Sequence, residues 1–450
     1  MINDLRQAVR GRVLTAGDEG FDRAREPWDG AVDQRVSAVV EAEDAADVAA
    51  VVRHASLYGL AVATQPNGHA PSAGFEDAIL LRTSRMRAVH VRPEERVARV
   101  EAGASWQEVL TAAAKHGLTG LAGSTGAVSV TGFVLGGGLS WFGRRHGFAA
   151  NNVVAFELVD AQGEHRRVTA HTDPDLFWAL RGGGGDFAVV TAVEIGLFSA
   201  PELFGGRMMW PAARAAEVLT AFREATATAP DELTLWFTLL QLPPFPELPE
   251  PLRGLSAVCL DATYLGGEER ARELLARFDA IPGAIVDTRG TMPLDRLGEI
   301  CMEPTDPTPA LVTSHLLTDL DDRAAATLLA AAGPGTVAPL TFVMVRHLGG
   351  ALARERPGAG ACGHLTEKYQ VHAAGMLPWP ELAGPIRERQ ASIARALEPC
   401  ASGRKAFTFL GHDEPADAAF PPGTLARLRR IKARRDPLNT FRSNHPVGRN

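Results

Sequence analysis

Between residues 37 and 62 the apolar positions change period twice. "VSAVVEA" reads as a strand, "DAADVAAVVRHASLYG" carries apolar residues at helical spacing with an Asp near its start, and "LAVATQ" reads as a strand again. That order is a β-α-β unit. "AILLRT" and "VARVEAG" continue as short strands, and "SWQEVLTAAAKHG" predicts a helix capped by Ser105 and stopped by Gly117. "VVAFELVDAQGEHRRVTA" predicts a hairpin turning at Gln162-Gly163. "DPDLFWALRGGGGDFAVVTAVEIGLF" follows as helix, glycine loop and strand.

Beyond about residue 200 the texture changes. "LPPFPELPEPLRG" is proline-rich, glycine thins out, and residues 255–400 mix strands such as "LTFVMV" with helices such as "ELAGPIRERQASIARAL". This predicts a second domain. The tail returns to a helix, "GTLARLRRIKARRD", followed by "PLNTFRSNHPV"; the basic run Arg429 to Arg435 reads as its solvated face. Neither an internal repeat nor a low-complexity segment is present.

Bulk composition narrows the class. A chain of 450 residues with 46% hydrophobic residues suits a globular protein of two or more domains. The net charge of −7 argues against a non-specific nucleic-acid or anionic-membrane binder. Cys259, Cys301, Cys362 and Cys400 show no metal-ligand or disulfide spacing, so neither a zinc site nor a disulfide framework is expected. With no apolar h-region near the start and no run of membrane-spanning length, a cytoplasmic protein is expected.

Candidate chemistry lies in three glycine-rich segments: around Gly68, from Gly120 to Gly138, and from Gly182 to Gly185. Glycine permits positive φ and close backbone approach, and turned N–H groups make an anion-binding nest. Three such loops in one domain suggest a diphosphate cofactor across several strand ends. "GGGLSWFG" lacks the dinucleotide-binding order of a Rossmann unit. There is no P-loop, no G-x-S-x-G nucleophile elbow and no H-E-x-x-H.

Five segments in order, "NGHAPSAG", "GSTGAVSVTGFVLGGGLSWFGRRHGFAANN", "DPDLFWALRGGGGDFAVVT", "VRHLGGALAR" and "LARLRRIKARRDPLNTFRSNHPV", span essentially the whole chain. Together they resemble the berberine-bridge-enzyme-like branch of the vanillyl-alcohol-oxidase, or PCMH-type, FAD-dependent oxidases. Bacterial members of natural-product tailoring or alkaloid breakdown look most similar. The resemblance implies an α+β protein: a two-part PCMH-type FAD-binding domain (1–200), a substrate domain (201–404) whose antiparallel sheet is covered by helices, and a C-terminal segment (405–450) returning to the FAD domain.

By the same resemblance His69 bonds covalently to the flavin 8α-methyl carbon. Pro66, Asn67, Gly68 and Ala70 shape its loop and help receive the diphosphate. Many relatives add a cysteinyl link, but Thr125 occupies that position and cannot form a thioether, so FAD is expected to be attached through His69 only. Ser124, Gly126, Ser129, Thr131 and Gly132 are expected around the pyrophosphate and ring, with Val190, Asn439, Phe441 and Asn444 also near the cofactor. Acid/base groups found in some relatives are replaced by Met344, Thr408 and His146. Tyr369, His372 and His146 are the substitutes to consider. A regular strand would put Tyr369 and His372 on opposite faces, with Tyr369 ranked first for the flavin side.

The function implied is an oxidase that takes two electrons from an alcohol, amine or activated C–H centre of a small or medium-sized metabolite and reduces O2 to hydrogen peroxide. "LWFTLLQLPPFPELP" is expected to form an apolar wall of the substrate site. Partners are the substrate and O2, with no nucleic acid, membrane or metal, and a monomer or homodimer is expected. Two other readings remain open: reoxidation of a reduced quinone-type drug for self-resistance, and a flavin-binding sequestering protein with little catalysis.

Overall fold

A computed structural model describes residues 2–200, 202–246 and 250–448. The β-α-β unit folds as Ala38–Glu41, helix Ala45–Tyr58 and Ala61–Thr64. Asp44 caps the helix by accepting from the backbone of Ala46 and Asp47, and Gly59 ends it in the left-handed conformation. The two strands are not neighbours: Ala78–Arg82 inserts between them, parallel to both. All five residues of that middle strand are buried, as expected of a parallel sheet covered on both faces. The tail strand Phe441–Arg442 completes this sheet, pairing in parallel with Val62 and Ala63.

A second five-stranded sheet is antiparallel and includes Val97–Glu101, Val153–Val159, His165–Val168 and Val189–Gly196. The predicted hairpin lies in it, with Gly163 supplying the positive φ of the turn. Helix Trp106–Ala114 begins with a complete capping box, in which Ser105 and Glu108 satisfy each other's backbone N–H groups.

The large sheet has eight strands, all antiparallel, drawn from residues 203–376. One face packs on helices Ala215–Thr228, Glu268–Asp279, Asp322–Ala332 and Ala383–Leu397 through Phe204, Phe237, Val345 and Val371. Trp236 and Met344, on the other face, join the core of the N-terminal half. The register places Trp236 beside Arg346 and Arg346 beside Gln370, with Thr238, Met344 and His372 in the next row on that face. Arg144 fastens the two halves. Its buried guanidinium donates to the carbonyls of Leu233 at 2.8 Å and Ala229 at 3.0 Å, and also to that of Leu348.

The basic run does more than meet solvent. Helix Pro422–Arg435 docks on helix Pro174–Leu180: Arg434 and Arg427 pair with Asp175, Arg435 with Asp173, and Arg427 lies over the Trp178 ring at 3.9 Å. Lys432 is buried and donates to the Asp186 and Phe441 carbonyls and the Asp436 carboxylate, each at 2.7 or 2.8 Å. Asp436 in turn accepts from the N–H groups of Thr440 and Phe441, which fixes the tail strand.

Candidate functional site

The histidine loop follows strand Ala61–Thr64 and needs glycine at 68. Its φ is +75°, and a Cβ there would lie 2.8 Å from the Pro27 Cα. Asn67 donates to the Ala127 carbonyl at 2.9 Å, joining this loop to the second glycine-rich segment. Asn444 donates to the Ala70 carbonyl, joining the tail to the other side of His69. Asp186, just beyond the third glycine loop, accepts from Ser443 N at 3.0 Å. The three glycine loops and the tail therefore meet at one place.

His69 packs on Trp28, with ring centroids 4.2 Å apart, and burial pushes its pKa down to about 4 although Asp29 pulls the other way. Three side-chain atoms on the converging segments, His69 Nδ1, Thr131 Oγ1 and Ser443 Oγ, are buried without a hydrogen-bond partner. Folded chains rarely leave such atoms unpaired. Beside them, the Cα of Gly132 faces open space, with nothing within 4 Å of where a Cβ would stand. Orphaned polar atoms around a glycine-lined space fit a large polar cofactor such as FAD.

The remaining residues expected near the cofactor have mixed placements. Ser129 caps helix Val130–Leu135 and donates to the Ala102 carbonyl at 3.2 Å, so its hydroxyl serves the fold. Thr125 Oγ1 accepts from Ala127 N at 3.2 Å, and Gly126 packs against Gln107. Pro66 is half-buried in the loop. Val190 fills the core beside a bulge in its strand, and Phe441 fills the core under the first sheet. Asn439 is exposed in a left-handed turn at φ +54°.

Of the proposed acid/base residues, the large sheet sorts two by face. Tyr369 lies on the helix-packed side, where its hydroxyl bonds Thr226 at 2.7 Å. Its ranking above His372 is thereby overturned: alternation assigned the two to opposite faces, and packing against helix Ala215–Thr228 decides which face is which. His372 shares the inner face with Met344 and Arg346. Burial, helped by Arg346, lowers its pKa to about 3, which makes the neutral ring a weak base. His146 stacks on Phe198 at 3.9 Å, on the two-stranded ribbon that Phe198–Ser199 forms with Leu118–Thr119. The apolar wall is narrower than expected, since Leu235, Phe237 and Leu239 turn to the helices and Trp236 faces inward.

Sequence reasoning missed the charged groups of this inner face. Asp261 takes a two-pronged bond from Arg207 at 2.6 and 2.9 Å, with both side chains buried. Glu303 accepts from Ser124 Oγ at 3.0 Å, so a carboxyl from the substrate half touches a loop expected at the flavin. Burial raises the pKa of Glu303, opposed by Arg346. Arg346 is buried, its guanidinium carbon 4.0 Å from the Trp236 ring centre and 4.8 Å from that of Phe409. The signal available in the sequence was Glu303 in "CMEPTDP" and the arginine opening "RHLGG"; neither has a periodicity that reveals its neighbours.

A carboxyl of raised pKa beside converging glycine-rich loops with unpartnered polar atoms is an arrangement typical of enzyme sites. The comparisons with known proteins agree. Residues 36–169 match a family described as FAD binding domain. The chain is 27% identical to (R)-6-hydroxynicotine oxidase of Paenarthrobacter nicotinovorans, over 98% of this chain and 97% of that protein. Its fold matches that of 6-hydroxy-D-nicotine oxidase from Arthrobacter nicotinovorans with a TM-score of 0.83 at 24% identity, covering 98% of each chain. It also matches berberine-bridge-like protein 1 of Physcomitrella patens with a TM-score of 0.85 at 20% identity, covering 100% of each. The protein is an FAD-dependent oxidoreductase. More particularly, it is a homologue of 6-hydroxynicotine oxidase with the fold of the berberine-bridge-like, PCMH-type flavoproteins.

Proposed function

We propose that this chain is an oxidase acting on a small organic metabolite, with FAD attached through His69 alone and Glu303 as the group that accepts the substrate proton. When bound, FAD supplies the redox chemistry, taking two electrons from the substrate and passing them to O2 to give hydrogen peroxide. His69 would hold it: a pKa near 4 leaves the imidazole neutral at physiological pH, with a nitrogen lone pair free. Thr125 has no thiol to add a second link. Thr131, Gly132 and Ser443 would line the rest of the cradle.

The observation that carries the reading is the Ser124–Glu303 contact at 3.0 Å. It supports the reading by joining a loop carboxyl that no arginine pairs among the described residues to the segment where the flavin is expected. Trp141 and Trp236, both buried, stack with ring centroids 3.5 Å apart and close the junction of the two halves against water. Among the described residues no helix is long and apolar enough to cross a membrane. With four free cysteines in the chain, we place the enzyme in the cytoplasm.

Acid precipitation of the purified protein tests attachment: the yellow colour stays in the pellet for wild type and washes free for His69→Ala. Screening metabolites for anaerobic bleaching of the flavin, followed by peroxide formation on admitting air, tests the oxidase. Bleaching without peroxide on reoxidation would sink it.

A further inference from the structure

The row Trp236, Arg346, Gln370 on the inner face contains polar groups that the fold leaves unused. Arg346 is 5% exposed and Gln370 is fully buried. Among the described residues the Arg346 guanidinium makes no ion pair within 4 Å; its recorded polar contact is Nε to the Met344 sulfur at 3.3 Å. Both side-chain polar atoms of Gln370, Nε2 and Oε1, are buried and unpartnered.

Among the described residues no nearby carboxylate forms an ion pair with Arg346. Asp261 is bonded twice by Arg207 and also receives the Cys301 thiol, and Glu303 takes the Ser124 hydroxyl. Aromatic rings pack on the Arg346 guanidinium but offer no acceptor for its in-plane N–H groups. A planar fork of donors left open beside an amide is the arrangement that binds a carboxylate in two-pronged fashion. Burying this many unpaired polar atoms is costly unless a ligand meets them.

We propose that the substrate of this site carries a carboxylate, bonded in two-pronged fashion by Arg346 with Gln370 beside it. The proposal rests on the oxidase reading for its location in the substrate cleft. It departs from an amine-type substrate, because Arg346 would repel a cation placed in this row.

The test uses three probes of one size, sodium benzoate, benzamide and benzylamine, titrated into the FAD-loaded protein. Binding is read both by perturbation of the flavin spectrum and by calorimetry. Benzoate is expected to bind at least about tenfold more tightly than benzamide, with benzylamine weakest. Arg346→Met should weaken benzoate at least about tenfold, and Arg346→Lys, which keeps the charge but loses the fork, should fall between. The proposal is overturned if benzylamine matches benzoate, if benzoate fails to bind, or if both variants bind it within twofold of wild type. Arg346→Lys guards against misfolding of the methionine variant. If the protein proves to hold no FAD, the oxidase reading fails on its own; benzoate binding by calorimetry, and its loss in the variants, still decides the carboxylate site.

Discussion

His69 gives the sharpest test of the cofactor site, because attachment needs a free ring lone pair and burial controls whether one is available. With its pKa lowered to about 4, the ring stays neutral well into acid. At pH 5.5 an ordinary imidazole of pKa near 6.5 would be about 9% neutral, whereas one near 4 would be about 97% neutral. The rate of FAD attachment should therefore change by less than about twofold between pH 7.5 and 5.5, against roughly tenfold for an unperturbed ring. The assay adds FAD to apoprotein made without flavin, acid-precipitates samples over time and measures the yellow retained in the pellet. A rate that halves near pH 6.5 would refute the argument. Trp28→Ala supplies the control. It uncovers the ring that Trp28 packs against at 4.2 Å, so its attachment rate should regain the ordinary pH dependence. The same depressed pKa works against the apoprotein: below about 6.5 the unfolded ring takes a proton that the folded ring refuses until about 4. His69's contribution to stability is present at neutral pH and is lost as pH falls through that window, which a series of urea midpoints would show.

Glu303→Gln should leave FAD content unchanged and slow flavin reduction by about 10²- to 10⁴-fold in stopped-flow measurements. Because burial raises the pKa of Glu303, wild-type reduction should rise with pH through a value above the ordinary carboxyl range, and the variant should lose that limb. Lys432→Met should lower stability by about 3–5 kcal/mol in urea titration, since Asp436 and two buried carbonyls lose their donor. FAD retention should fall with it as the tail strand loosens. Gln370→Leu should stabilise the apoprotein by about 1–3 kcal/mol, read from its denaturation midpoint, by removing two unpaired polar atoms. Benzoate affinity should drop in the same variant.

Local signals in the sequence carried far where period and caps decide structure. The β-α-β unit, the Ser105 cap and the hairpin at Gly163 all follow from neighbours within a few residues. Pairing across hundreds of residues did not show: nothing near Phe441 announces that it lies in register with Val62. The Tyr369 and His372 case locates the limit. Alternation fixes that the two differ in face but not which face is inward, and that sign comes from where helix Ala215–Thr228 packs. Glu303 and Arg346 were illegible for a related reason. A charged residue in a loop or a buried strand has no period of its own, and its role depends on the partner it meets, or lacks, after folding. For Glu303 that partner is Ser124, 179 residues away; for Arg346 it is the absence of any acid within pairing distance among the described residues. The bend around His69 could be read because a glycine turn is local, whereas the role expected of its histidine came from the family resemblance alone. The cleft that would choose the substrate could not, since it is assembled from strands and loops with no local signature.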